Sequence, residues 1–164
     1  MYKNMSNPII KTDRLTIRIV DIMDYKAYFE FCSNKNVCKY LTFNPYISMS
    51  QAKIAIENMI RSNLQELSSN FSIILNETNS VIGSISVTFK ENKTGEIGYI
   101  LSEKYWNQKI MSEALDAFIK VCKIHFDLNI LTACYVEDNI ASEVLLSKNG
   151  FMNYQLIQLR SLFL

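Results

Sequence analysis

The sequence reads as a mixed α/β domain, and three observations carry that reading. A period-two apolar run lies near the start, and three short apolar runs separated by turn-rich "ETNS" and "KENKTG" fill the middle. After them, amphipathic helical stretches alternate with strands. The implied order is strand, two helices, three hairpin strands, helix, strand, helix, strand. At 164 residues, with no repeat, low-complexity tract or linker, residues 1–164 are expected to form one domain.

The first strand is "TDRLTIRIV", where Leu15, Ile17 and Ile19 alternate with Arg14, Thr16 and Arg18. Asp21 can cap the helix "DIMDYKAYFEFCS", in which Ile22, Tyr25, Tyr28, Phe29 and Cys32 recur at helical spacing. The pattern breaks at "VCKYLTFNPYIS", which Pro45 helps to close. Ser48 or Ser50 then caps a second helix whose apolar face includes Ala52, Ile56, Met59 and Ile60. "FSIILN", "VIGSISVTF" and "EIGYILS" have the spacing of an antiparallel meander. A helix over 110–126 presents Met111, Ala114, Leu115, Phe118, Val121 and Cys122 on one face. "NILTACYVE" is expected to be a strand buried on both faces. "DNIASEVLLSKNGF" is expected to be a capped helix that ends at Lys148 or Asn149, with Gly150 just past the end. "MNYQLIQL" is expected to be the last strand. The strand–helix–strand passage near 97–136 is expected to place two strands in parallel through a right-handed crossover.

Composition narrows the function. A net charge of +1 supplies no field for nucleic acid or an anionic membrane. No apolar run is long enough to span a bilayer, and "MYKNMSNPIIK" lacks the apolar centre of an export signal, so a cytoplasmic location is expected. Cys32, Cys38, Cys122 and Cys134 include no C-x-x-C pair, and His125 is the single histidine, so no metal site is expected. Cys122 and Cys134 fall in apolar patterns and are expected to be buried. His125 ends a helix, where its cation is favoured for structural reasons.

The ordered series "TDRLTIR", "IGSISV", "GEIGYILSEKYW", "MSEAL" and "DNIASEVLLSKNGF" resembles the GNAT superfamily of acyl-CoA-dependent N-acetyltransferases, in its RimJ/RimL-like branch. The resemblance spans most of 12–152 and implies a central mixed, mostly antiparallel sheet flanked by helices. It also implies acetyl transfer from acetyl-CoA, as co-substrate, to a primary amine, with no metal. The acceptor would be a protein N-terminus or a small molecule such as a polyamine, an aminoglycoside or another metabolite. A GNAT-fold protein that binds acyl-CoA or regulates without efficient catalysis is the alternative.

The same resemblance assigns residues. Backbone groups of Tyr99, Ile100 and Leu101 would meet the acetyl carbonyl and the pantetheine arm. The turn Asn107, Gln108, Lys109 and the helix start Ile110, Met111, Ser112 would hold the pyrophosphate, since helix N-termini present unpaired N–H donors. The family usually writes this turn with glycines, and Asn107 and Lys109 stand in their places. Asn tolerates positive φ. A lysine there costs about 1–2 kcal/mol if φ must be positive, while its ammonium would sit beside an anion. Asn139 would contact the pantetheine arm, and Ser142 would assist the leaving thiolate where many relatives use a tyrosine. The tyrosine position here is Leu146.

A base must also remove a proton from the amine. Glu96, on the strand leading into "GYIL", is the first candidate; Glu137 and Asp138 are weaker because capping explains them. The aromatic stretch Tyr40 to Tyr46 is placed to line the acceptor site or to serve as core. Only thirteen residues follow Phe151, so the C-terminal hairpin of the branch is apparently shortened. Either its last strand is absent, or a second copy covers the edge around Leu162, Phe163 and Leu164; a homodimer is the expectation.

Overall fold

The computed structural model describes residues 8–156 and 159–163, with side chains over 8–152. Its centre is an eight-stranded sheet built from Ile10–Lys11 (β1), Leu15–Ile19 (β2), Ser68–Leu75 (β3), Ser80–Lys90 (β4), Thr94–Leu101 (β5), Ile130–Tyr135 (β6), Met152–Leu156 (β7) and Leu159–Phe163 (β8). The spatial order is β1-β2-β3-β4-β5-β6-β8-β7. Every neighbouring pair is antiparallel except β5 with β6.

The helices are Tyr25–Cys32 (α1), Lys35–Cys38 (α2), Met49–Leu64 (α3), Ile110–Ile124 (α4) and Ile140–Lys148 (α5). Asp21 does cap, but the turn it starts is a 3-10 turn over Ile22–Asp24, closed as a capping box when Asp24 Oδ2 accepts the Asp21 N–H at 2.9 Å. The α-helix begins only at Tyr25 and buries Phe31 beside Tyr28 and Cys32. Ser48 is the cap of α3, accepting from the Gln51 N–H. At the end of α5, Gly150 has φ 86° and the Phe151 N–H returns to Leu146 O at 3.1 Å, the left-handed stop expected of that glycine.

Two apolar layers cover the sheet. One joins Leu15, Ile17, Ile73 and Ile85 to α4 through Ala114, Leu115 and Phe118, and Leu146 of α5 belongs to it. The other packs α1 and α3 against the opposite face through Tyr28, Phe31, Ala52 and Ile56. The period-two strands and 3.6-period helices of the sequence therefore meet along the faces their patterns define.

Two expectations need correction. β6 is not buried on both faces: Leu131, Ala133 and Tyr135 are buried, while Ile130 and Cys134 are exposed. The cause is that α1 and α3 cover the sheet around β3 and β4, so the face of β6 that carries Cys134 is open. The C-terminus is not one strand and a tail, because β7 and β8 pair as a hairpin of two five-residue strands with β8 against β6. The side chains of Leu162, Phe163 and Leu164, on which the homodimer expectation rested, lie outside the described residues.

Candidate active site

The site begins where two strands part. β5 continues to Leu101, yet its pairing with β6 runs only from Thr94↔Ile130 to Ile97↔Ala133. Residues 98–101 stay paired to β4 on their other edge, so the edge facing β6 has no strand partner there among the described residues. Backbone donors and acceptors left this way at a parallel edge need another partner. Of the three residues chosen from the sequence, Tyr99 and Leu101 turn their backbone groups to this edge, whereas the Ile100 carbonyl lies on the β4 side against Gly83. Leu101 O already accepts the Trp106 indole N–H at 2.9 Å, which ties the following turn to the strand.

The turn has the conformation that glycines would permit. Asn107 and Lys109 both have φ of 60°, and Lys109, at ψ 14°, is the left-handed residue before α4 with no side-chain cap. The first intrahelical bond runs from the Glu113 N–H to Lys109 O at 3.1 Å. The N–H groups of Ile110, Met111 and Ser112 are thus the orphan donors of the helix start, although the Ile110 and Met111 side chains are buried. Lysine keeps the turn at a cost in strain. Lys109→Gly is expected to raise the unfolding free energy by about 0.5–1 kcal/mol, strain relief less the added freedom of the unfolded chain; urea titration checks it.

A cavity of ≈ 350 Å³ opens beside the parted strands. Its lining includes Gly98, Tyr99, Tyr135, Asn139 and Ser142 together with Tyr28, Tyr40, Phe43, Ser84 and Ser86, the cross-strand neighbour of Gly98. Of the aromatic stretch, Tyr40 and Phe43 reach the cavity; Phe43 stacks on Tyr46 with centroids 5.2 Å apart. Asn139 caps α5 by accepting the Ser142 N–H at 3.2 Å, and both residues also line the cavity. The buried hydroxyls of Tyr99 and Tyr135 have no hydrogen-bond partner within the protein among the described residues. Burial pushes the Tyr99 phenol up to about 12, Tyr135 adds to the rise and Ser142 opposes it.

Other sequence candidates are placed differently. Glu96 shares the sheet face of Gly98 but is outside the cavity wall, partly exposed and 3.5 Å from Lys90 Nζ. Leu146 is fully buried in the core. His125 follows α4 and packs edge-on against Phe126. Cys134 lines the cavity, its thiol pushed up by partial burial and by Glu96, with Lys90 acting the other way. No group of three His, Cys, Asp or Glu suited to a metal ion occurs among the described residues, and no helix there is long and apolar enough to cross a membrane.

Two networks were not apparent from sequence. At the cavity, the Tyr28 hydroxyl is 3.4 Å from Ser72 Oγ, which donates to Asp24 Oδ2 at 2.6 Å. Arg18 pairs with both Asp24 oxygens at 2.9 and 2.8 Å. At the turn, Arg14 joins Glu113 and Gln108 O. The "DIMD" capping box was a usable signal for Asp24. Nothing local marks Arg14, which reads as one outward residue of a strand.

Residues 14–152 match the model of the acetyltransferase (GNAT) domain, and the chain belongs to that family. It is 31% identical over 149 residues to p20 of Bacillus licheniformis, named as an uncharacterized N-acetyltransferase, across 90% of this chain and 84% of that protein. The fold matches that of a GNAT-family acetyltransferase from Bacillus anthracis, with a TM-score of 0.83 at 23% identity over 95% and 96% of the two chains. It also matches RimL, a ribosomal L7/L12 alpha-N-protein acetyltransferase solved with coenzyme A, with a TM-score of 0.85 at 21% identity over 96% and 97%. The chain is an acyl-CoA-dependent N-acetyltransferase that transfers an acetyl group to an amine.

Proposed function

We propose that acetyl-CoA is the acyl donor, that its pantetheine arm enters between β5 and β6, and that its pyrophosphate meets the turn at 107–112. The observation that carries this is the alignment of the parted strands with a left-handed, donor-rich turn at the start of α4. The free edge at Tyr99 and Leu101 would pair with the arm and polarise the acetyl carbonyl, which stabilises the developing oxyanion, with Ile100 between them held to β4. Asn139 and Ser142 would border the sulfur end, with the Ser142 hydroxyl available to the departing thiolate. Coenzyme A in the complex with RimL is consistent with this assignment.

The acceptor amine would enter from the side of Tyr28, Tyr40 and Phe43. RimL is named for acetylating the α-amino group of a ribosomal protein, which favours a protein N-terminus over a polyamine or aminoglycoside. Glu96 would take the amine proton through water, since it is near the cavity but outside its wall. Such an enzyme would work in the cytoplasm, and a homodimer remains part of the proposal. A merely acyl-CoA-binding role is less well supported, because the turn keeps its left-handed geometry and the C-terminal hairpin is present.

Calorimetric titration with acetyl-CoA, followed by thiol release across peptides, polyamines and aminoglycosides, tests the proposal. Binding and turnover with an N-terminal peptide are expected; binding without turnover on any amine would overturn the enzymatic reading. Within that assay, Glu96→Gln is expected to lower turnover at least about tenfold with acetyl-CoA binding intact, and an unaltered pH–rate profile would remove Glu96 from the mechanism.

A further inference from the structure

We propose that Arg14 is a positioning residue for the acyl donor, holding the peptide between Gln108 and Lys109 so that the Lys109 N–H faces the pyrophosphate. This rests on the reading of that turn as the pyrophosphate site. In a trans peptide the C=O of one residue and the N–H of the next lie in one plane and point in opposite directions. Arg14 Nη1 donates to Gln108 O at 3.0 Å across 94 residues of sequence. That contact fixes the carbonyl on the Arg14 side and directs the Lys109 N–H away from it. Left-handed residues on both sides of Gln108 have no glycine to make the conformation easy, so an external restraint has more to do here than in a glycine-rich turn.

The guanidinium is itself held. Its Nε and Nη2 both lie 2.7 Å from Glu113 Oε2. Glu113 Oε1 accepts the Thr12 hydroxyl at 2.5 Å and the Arg14 backbone N–H at 3.1 Å. Glu113 stands in the first turn of α4, where an unpaired carboxylate would repel a phosphate. Arg14 cancels that charge while Glu113 sets the angle of the guanidinium, a task suited to a rigid planar fork rather than a point charge. On the other flank, Gln108 Nε2 donates to Lys104 O at 3.0 Å. Arg14 and Glu113, remote in sequence, thus orient a backbone donor that neither residue itself supplies.

The test compares two acyl donors, acetyl-CoA and S-acetylpantetheine, which lacks the pyrophosphate and nucleotide. Loss of one charge-assisted hydrogen bond predicts that Arg14→Ala raises KM for acetyl-CoA at least about tenfold with kcat little changed. With S-acetylpantetheine, kcat/KM of the variant is expected to equal that of the wild type. Arg14→Lys is expected to fall between, because an ammonium reaches either Gln108 O or Glu113 but not both. Equal losses on both donors, or an unchanged KM for acetyl-CoA, would overturn the proposal. If Arg14→Ala does not fold, Arg14→Met, which keeps the aliphatic stem and removes the donors, is held to the same donor contrast. A wild-type protein that fails to use acetyl-CoA would instead overturn the underlying reading of the turn.

Discussion

Asp24→Ala is expected to lower the unfolding free energy by about 3 kcal/mol, the lower end for breaking a buried ion pair. Asp24 is 5% exposed and accepts from Arg18 twice, from Ser72 and from the Asp21 N–H. Removing it leaves all of these donors short of a partner, although the Arg18 side chain, 34% exposed, can turn partly to water. Burial alone would raise the Asp24 pKa, but Arg18, Ser72 and the Asp21 N–H outweigh it and hold the carboxyl below its ordinary range. Stability from such a depressed group is fully present above the unfolded value of about 3.9 and is lost as pH falls through the lower folded value. Urea unfolding at neutral pH should therefore separate variant and wild type, and the gap should close in strong acid. Because Ser72 also reaches the Tyr28 hydroxyl on the cavity wall, kcat/KM for the amine should fall in the same variant.

Gly98→Trp is expected to reduce kcat/KM by about a hundredfold or more while the fold survives. Gly98 lines the cavity, and a Cβ built there meets only Ser86 Oγ, at 3.3 Å. The backbone accepts a side chain, so the indole would occupy the cavity of ≈ 350 Å³ in which the proposed function has the reacting groups meet. Displacement of reacting atoms by even an ångström costs about a hundredfold. A thermal midpoint within about 4 °C of wild type, the shift of about 1 kcal/mol in a domain of this size, would show that loss of activity is not loss of fold. Gly98→Ala serves as the control and should retain most turnover.

Much of the fold was legible because it depends on local chemistry. Leu15 and Ile17 alternate, Ala114, Leu115 and Phe118 share a helix face, and Gly150 takes the left-handed position after α5. The failures were of tertiary origin. Cys134 sits in an apolar run but faces a part of the sheet that α1 and α3 do not cover. The strand β8 begins only three residues beyond the end of β7, too close for the apolar pattern to separate two strands. For the candidate site, the ordered motifs point to Tyr99, Lys109, Asn139 and Ser142 and the "DIMD" capping box marks Asp24, while Arg14 carries no local mark.

The sequence by itself determined the strands and helices with a clear period, β2 to β6 with α1, α3, α4 and α5, and that the turn before α4 carries Asn107 and Lys109 in place of glycine; β1, α2 and the division of β7 from β8 it did not. Periodicity and capping act over a few residues, so they are readable in order along the chain. Only the tertiary structure decided that Lys109 is left-handed, that β5 and β6 part after Ile97↔Ala133, and that Arg14 reaches Gln108 O. These depend on sheet geometry and on partners about a hundred residues apart, whose meeting no local pattern encodes.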